Sequence, residues 1–247
     1  MSWVEKLFDS GLFEREYVET FENDEKTARE ADFIAATLGL GPSDSVLDLA
    51  CGVGRHAFAL AGRVGRVVAF DRTTRFLERG RRHAEEAGVT NVEFVEGDMR
   101  ALDYDGEFDA AYNYFTSWGY YSREENLDCL ARARRALKPG GLFLLETINR
   151  AALLGRFMPR SWQETPDGTV VLMENELDLA EGRMISRRTY LKGDERETIE
   201  IDHEFPAPDG YVERFRAAGF SDVRLLSAPD GGELTRQSWR LAVVGRA

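Results

Sequence analysis

Short apolar runs alternate with amphipathic stretches between residues 43 and 149. Ser45-Val46-Leu47-Asp48-Leu49, Arg66-Val67-Val68-Ala69-Phe70, Val92-Glu93-Phe94-Val95-Glu96, Phe108-Asp109-Ala110-Ala111-Tyr112 and Leu142 to Glu146 each have strand length. The intervening segments read as helices. One follows Gly54 and carries Phe58, Leu60 and Ala61; a second runs from Thr73 to Ala87 and stops at Gly88. A third runs from Glu124 to Leu137 and ends at Lys138-Pro139-Gly140-Gly141. Strands that are apolar on both faces, separated by helices, predict an α/β domain with a parallel sheet covered on both sides.

The flanks read differently. Residues 1–42 are helical and acidic, and Thr27 to Leu40 places Ala28, Ala31, Phe33, Ile34 and Leu38 on one helical face before Gly39, Gly41 and Pro42. Pro208 to Ala218 predicts a helix capped by Gly219. Asp222 to Leu226 and Trp239 to Val244 predict two last strands, joined through Pro229-Asp230-Gly231-Gly232 as an antiparallel hairpin at the sheet edge. Thr169 to Glu176, Arg183 to Leu191 and Glu197 to Phe205 alternate in character, with turns at Gly182 and Gly193-Asp194. They predict a three-stranded antiparallel meander above the sheet, forming a wall of an acceptor pocket and a surface for a homodimer. The chain thus divides into a helical lid, 1–42, a main domain, 43–150 with 206–247, and an inserted β-rich segment, 151–205.

Composition narrows the function. The net charge of −12 repels phosphate backbones, which disfavours nucleic acid and anionic membranes as partners. Cys51 and Cys129 form no CxxC pair, so neither a structural zinc site nor a disulfide framework is expected, and no metal is called for. The N-terminus lacks an apolar signal core and no run reaches membrane-span length, so the expected location is the cytoplasm.

The turn Ala50-Cys51-Gly52-Val53-Gly54 joins a strand to a helix, the arrangement in which backbone N–H groups approach a nucleotide closely. Gly52 to Ala57 also fits the dinucleotide pattern GxGxxG/A. Asp71 ends the second strand 19 residues after Gly52, where a carboxylate can accept from both ribose hydroxyls of an adenosine. Asp98 and Met99 close the third strand, where the first can accept from an adenine amino group and the second can donate its N–H to the ring. Asp48 precedes the glycines, where nicotinamide readers usually have an apolar residue.

Taken in order, these segments resemble the class I S-adenosylmethionine-dependent methyltransferases. VLDLACGVGRHA, VVAFD, FVEGDM, FDAAYNYFTSWGY and ALKPGGLFLLE resemble five successive family motifs, and the resemblance is nearest to the small-molecule branch. It implies a Rossmann-like methyltransferase fold with a seven-stranded, mostly parallel sheet, and S-adenosyl-L-methionine as cofactor with S-adenosyl-L-homocysteine as product. Ala50 departs from the commonest pattern, which has glycine there. Asn113-Tyr114-Phe115-Thr116 departs from the Asn-Pro-Pro-Tyr type of exocyclic-amine methylases, which again argues against nucleic acid. Mapped on this chain, the cofactor would be held by Asp48, Ala50, Cys51, Gly52, Gly54, Asp71, Arg72, Asp98, Met99, Asn113 and Tyr114. Arg29 is expected to take its carboxylate, and Tyr17 to reach in from the lid. Tyr114 is expected to line the acceptor side. His203 is the histidine expected to serve as a base, whereas His56 reads as a packed residue and Cys129 as core. The acceptor is expected to be a small molecule methylated at nitrogen or oxygen. A nicotinamide oxidoreductase and a non-catalytic cofactor-binding protein are the alternatives.

Overall fold

The computed structural model describes residues 2–21 and 23–247, with side chains for all of these but 18–21. The expected helical stretch 1–42 therefore includes two positions, 1 and 22, outside the described residues.

Three helices open the chain: α1 (Trp3–Asp9), α2 (Leu12–Phe21) and α3 (Asp24–Leu38). Ser2 and Glu5 form a reciprocal capping box at α1. The Asn23 side chain caps α3, and Gly39 ends it in the left-handed region. There follow β1 (Ser45–Leu49), α4 (Arg55–Ala61), β2 (Arg66–Asp71), α5 (Thr74–Ala87), β3 (Val92–Glu96), β4 (Phe108–Asn113), α6 (Arg123–Ala136) and β5 (Leu137–Ile148). All five expected strands form. The Lys138-Pro139-Gly140-Gly141 turn is absorbed into the start of β5, where the pairing with β4 shifts register.

Strands β1 to β5 are parallel. After α7 (Arg150–Gly155), four strands of the insert and α8 (Pro208–Ala217), the chain returns as β10 (Ser221–Ala228) and β11 (Arg240–Arg246). The main sheet runs β10-β11-β5-β4-β1-β2-β3, with β11 antiparallel to both β5 and β10. The seven-stranded α/β sheet with its terminal hairpin is thus as expected. One core, with Leu47, Phe108, Phe143 and Phe215, fills one face of the sheet. The other, with Ile34, Val46, Leu60 and Leu77, fills the opposite face. Gly80, midway along α5, is explained by this packing: a Cβ there would lie 2.4 Å from the Phe94 ring. The helix accepts the lower propensity of glycine to sit close to β3.

The insert has one strand more than expected. Strands β6 (Arg160–Glu164), β7 (Val170–Asp178), β8 (Arg183–Lys192) and β9 (Glu195–Glu204) pair in sequence order, all antiparallel. β6 is a polar, largely exposed edge, so it lacks the apolar alternation that marks the other three. The inner face of this sheet, with Val171, Tyr190, Ile199 and Ile201, buries Leu7 of α1 and Leu12 of α2. Among the described residues, no helix is long and apolar enough to cross a membrane.

Candidate active site

A cavity lies at the carboxyl ends of β1, β2, β3 and β4, where open α/β sheets bind ligands. One wall is the loop Ala50 to Val53. Gly52 has φ +59° and a Cβ there would meet nothing within 4 Å, so its backbone faces open space. Ala50 is also left-handed, at φ 61°, a conformation that an alanine adopts at a cost of roughly 1–2 kcal/mol. Alanine in place of the commonest pattern's glycine therefore carries a strain. Gly54 does not line the cavity. A Cβ there would lie 2.8 Å from Phe94, so this glycine serves packing rather than ligand approach.

Asp71 lines the cavity and is 8% exposed. Its Oδ2 accepts from the Gly52 N–H at 2.8 Å and its Oδ1 from the Thr73 N–H at 2.8 Å. Each oxygen keeps a further lone pair for a ligand hydroxyl. Burial pushes its carboxyl above the usual range, against the two backbone donors. Asp48, 2% exposed, also lines the cavity, and its Oδ2 has no donor in bonding geometry. Burial raises Asp48 to about 7, only partly offset by the neighbouring Tyr112 hydroxyl and Arg55. Arg72, Gly97 and Met99 complete the polar end.

The opposite wall is aromatic. Tyr114, Phe115, Tyr120 and Tyr121 come from the segment after β4, Phe70 from β2 and Phe76 from α5. Val4 and Phe8 of α1 and Phe13 of α2 close it. Among the described residues the inserted sheet contributes none of the lining, so it does not form the expected pocket wall. It acts one step back, by burying the outer side of α1 and α2. Phe115 and Thr116 have φ values of 69° and 61°. This strained turn is held from β5, where Glu146 Oε2 accepts from the Phe115 N–H at 2.9 Å and the Glu146 carbonyl accepts from the Thr116 N–H at 3.2 Å.

Besides Gly54, five expected site residues do not line the cavity. His203 is buried beneath Tyr120, with Nε2 donating to the Trp118 carbonyl at 2.7 Å and its ring stacked on Phe205. It is outside the cavity, and burial lowers its pKa to about 3, so it is not a base for an acceptor there. Asp98 turns away to Arg100, which donates to it through its backbone N–H at 2.9 Å and Nη2 at 2.7 Å. Arg29 is exposed and pairs with Asp230. Asn113 is buried behind the loop, with Nδ2 donating to the Leu49 carbonyl at 2.8 Å. Tyr17 packs on Phe13 and Phe115 without lining the cavity itself. The structure does bring together Asp48, Ala50, Cys51, Gly52, Asp71, Arg72, Met99 and Tyr114.

The sequence reading missed Arg55 and underrated His56, both of which line the cavity from α4. Buried Glu30 of α3 accepts from Arg55 and lies 3.0 Å from His56 Nε2. Burial is the main influence lowering His56, to about 4. Glu30 stays ionised, its pKa lowered to about 2, because contact with His56 and Arg55 outweighs its own burial.

A class I methyltransferase cofactor fits these residues. A buried carboxylate with free lone pairs, a second carboxylate oxygen without a donor, an open glycine backbone and a facing set of aromatic rings match a ribose, an ammonium, a polar arm and a sulfonium. Among the described residues, no three His, Cys, Asp or Glu side chains are grouped to hold a metal ion.

Comparison with known proteins agrees. A methyltransferase domain model matches residues 46–141. The chain is 28% identical over 212 residues to a ubiquinone/menaquinone biosynthesis C-methyltransferase of Paracoccus denitrificans, covering 82% of this chain and 77% of that one. Among curated relatives, the share of the relative's length spanned falls as low as 31%. The fold is similar to that of the CcbJ methyltransferase of Streptomyces caelestis, with TM-score 0.76, 23% identity and coverage of 94% and 96%. It is also similar to the glycopeptide N-methyltransferase MtfA complexed with S-adenosyl-L-homocysteine, with TM-score 0.60, 25% identity and 89% of each chain covered.

Proposed function

We propose that this chain, which belongs to the class I S-adenosylmethionine-dependent methyltransferases, methylates nitrogen or oxygen of a small molecule and leaves S-adenosylhomocysteine. The observation that carries this reading is a cavity in which Asp48, Asp71 and the Ala50–Val53 loop face an aromatic wall. When bound, S-adenosylmethionine supplies a methyl group on a positively charged sulfur that departs neutral, so no acid is needed.

The chain's own residues position and exclude. Asp71 offers lone pairs to two hydroxyls, and the Gly52 backbone lets a ligand approach closely. Asp48, once ionised, attracts an ammonium. The rings of Tyr114, Tyr120 and Phe8 keep water from the reacting atoms, and each ring face adds about 0.5–2 kcal/mol of attraction for a cation. Orientation alone is worth roughly 7–11 kcal/mol for two aligned reactants. An amine that arrives neutral brings its own lone pair, which favours nitrogen over oxygen in a site whose lining histidine, His56, is held by Glu30. The N-methyltransferase among the similar structures supports the same choice.

The free cysteines Cys51 and Cys129 suit a reducing compartment, which supports a cytoplasmic enzyme. The outer face of the inserted sheet supports a homodimer. Trp162, 68% exposed, lies opposite Leu172, beside a row of alternating charge, Arg160–Glu174–Arg187–Glu200, that a second copy can match about a two-fold axis.

Two measurements test the reading. S-adenosylhomocysteine should raise the melting temperature and NAD(P) should not. Incubation with methyl-labelled cofactor, a panel of amine, hydroxyl and carboxylate metabolites, and DNA and RNA should label an amine or an alcohol. Stabilisation by NAD(P) alone would sink the cofactor assignment, and labelling confined to nucleic acid would sink the acceptor class.

A further inference from the structure

Phe115 separates two hollows. It lines the cavity described above, and it also lines a second cleft with Lys26 and Glu30 of α3, Pro229 after β10, and Trp239 and Arg240 at the entry to β11. The partition is built at a cost. Phe115 and Thr116 are both left-handed, and Glu146 holds the turn by accepting from the Phe115 N–H.

The charges on the second cleft do not balance. Glu146 takes Arg240 in a two-pronged pair, Asp230 takes Arg29, and Glu30 is occupied by Arg55 and His56. Lys26 is left over. Its Nζ lies 5.2 Å from the centroid of the Phe115 ring and, among the described residues, makes neither a hydrogen bond nor an ion pair. The side chain is half-buried. Burial pushes its ammonium below the lysine range, and Arg55 and Arg240 push the same way against Glu30 and Glu146. Glu25 also lines the cleft, but it is exposed and screened by water. An ammonium that has lost part of its water and gained only a ring face is short of an anion.

The rest of the cleft offers a ring rather than charge. Trp239 is 38% exposed there, and the Arg156 guanidinium carbon lies 5.2 Å from its ring centroid. A large aromatic side chain left open beside an unmatched cation suits a molecule with a ring or other apolar body and one negative end.

We propose that this cleft is a subsite for the methyl acceptor, and that the acceptor carries an oxyanion held by Lys26 with its apolar body laid against Trp239. The proposal rests on the cofactor reading above, because Phe115 is what stands between the anchored molecule and the cofactor cavity. The nucleophilic end reaches past Phe115 toward Tyr114, the neighbouring ring of the aromatic wall. A lysine ammonium is a compact point charge, so a carboxylate and a phosphate both satisfy it. Arg240 and Arg29 line the same cleft but already have their carboxylates, which leaves recognition of the anion to Lys26.

Benzoate and benzylamine share a ring and differ in the sign of their charge. Each is titrated by ligand-observed NMR into wild type saturated with S-adenosylhomocysteine, which keeps the cofactor cavity filled. Benzoate should bind more tightly than benzylamine. Lys26→Met should weaken benzoate roughly five- to tenfold, and Lys26→Arg should restore it. Both variants should bind S-adenosylhomocysteine as wild type does, which shows that they are folded. Phenyl phosphate titrated in parallel tells the two sources of the oxyanion apart, the tighter ligand naming the group. An amine labelled in the metabolite panel should carry an oxyanion, and Lys26→Met should raise its KM and leave kcat nearly unchanged, as expected for an anchor that binds ground state and transition state alike. Benzylamine binding as tightly as benzoate, benzoate binding that Lys26→Met leaves unchanged, or a labelled acceptor without an oxyanion would overturn the proposal. Displacement of S-adenosylhomocysteine by benzoate would overturn it too, by putting the anion in the cofactor cavity. If wild type does not bind S-adenosylhomocysteine, the cofactor reading itself fails; if it does, and neither benzoate nor phenyl phosphate binds the complex, the acceptor subsite alone falls.

Discussion

Asp48 gives the sharpest prediction, because its buried carboxyl titrates near neutrality. Burial raises it to about 7 in the ligand-free protein, and Oδ2 has no donor in bonding geometry. An ammonium placed beside it favours the ionised form, which typically lowers a carboxyl by about 1–3 pKa units. Binding of S-adenosylhomocysteine is then coupled to proton loss. At pH 7 about half of Asp48 is protonated in the free protein, so binding should release about half a proton. Below pH 7 the ligand must also displace that proton, so affinity falls with pH. Between pH 8 and pH 6 the loss should be about tenfold, or about 1.4 kcal/mol. The assay is calorimetry in two buffers of different ionisation heat, whose difference gives the number of protons released. Asp48→Asn should bind more weakly at pH 8 and lose the slope. 5′-Methylthioadenosine, with no ammonium, should show little pH dependence in either protein. An affinity for S-adenosylhomocysteine that is level from pH 6 to 8, with no proton release, would refute the placement of the ammonium at Asp48.

Four further outcomes follow from the geometry. Asp71→Ala removes a charged acceptor and strips the Gly52 and Thr73 N–H groups of their partner, so S-adenosylhomocysteine affinity should fall by about 1–3 kcal/mol, measured by calorimetry. Ala50→Gly relieves a left-handed alanine worth roughly 1–2 kcal/mol and adds back roughly 0.5–1 kcal/mol of chain entropy, so urea unfolding should show a net gain of about 0–1 kcal/mol. His56 and His203 have folded pKa values of about 4 and about 3, below the unfolded value, so the unfolded chain takes up protons first and stability falls as pH drops from about 6.5 toward those values. Each should remove on the order of 1–2 kcal/mol between pH 7 and pH 5; Asp48, with its raised pKa, opposes this over about pH 4–7, so Asp48→Asn should make the acid loss steeper in urea titrations. His203→Ala should lower stability by about 1–3 kcal/mol by leaving the Trp118 carbonyl unpaired, and leave S-adenosylhomocysteine affinity within twofold; a large affinity loss with stability kept would return His203 to the site.

The main sheet was legible because four of its parallel strands, β1, β2, β4 and β5, are buried on both faces, and all five are bounded by turn residues, a local signal. The same holds for the glycine loop, whose neighbours in sequence are its neighbours in space. Asp48, Gly52 and Asp71 were readable for that reason: β1 and β2 lie side by side, with Asp48 paired to Ala69 and Leu49 to Phe70. The misplacements share a cause. Asp98 has a local competitor two residues on, since the Arg100 N–H and guanidinium both reach its carboxylate. Arg29 lies among Lys26, Glu30 and Asp32 in sequence and Arg55 in the uncharged stretch from Gly52 to Leu60, and only the packing of α3 on α4 shows which is buried. The contact between Glu30 and Arg55 spans 25 residues and has no periodic signature. His203 alternates correctly on its strand, but alternation does not say what covers each face. The aromatic wall from Val4, Phe8 and Phe13 was equally hidden, because spacing along α1 and α2 reveals an apolar face without naming its partner.

The cavity therefore has walls of unequal strength. Among the described residues, the cores on the two faces of the main sheet contain 21 and 20 buried residues, while the core joining α1 and α2 to the inserted sheet contains six. The loops that carry Asp48, Asp71 and Met99 grow directly from the first two. The rings of Phe8 and Phe13 hang on the third, assisted by Arg188 and the Tyr190 hydroxyl on Glu16 and by Arg75 on Glu14 and on the Phe8 carbonyl. Local opening takes the path that exposes the least apolar surface. That path lifts α1 and α2 with Val4, Phe8 and Phe13, and leaves the strand ends fixed. Breaking Glu16–Arg188 or Glu14–Arg75 should therefore raise amide hydrogen exchange in α1 and α2 before it does so at the strand ends that carry the carboxylates.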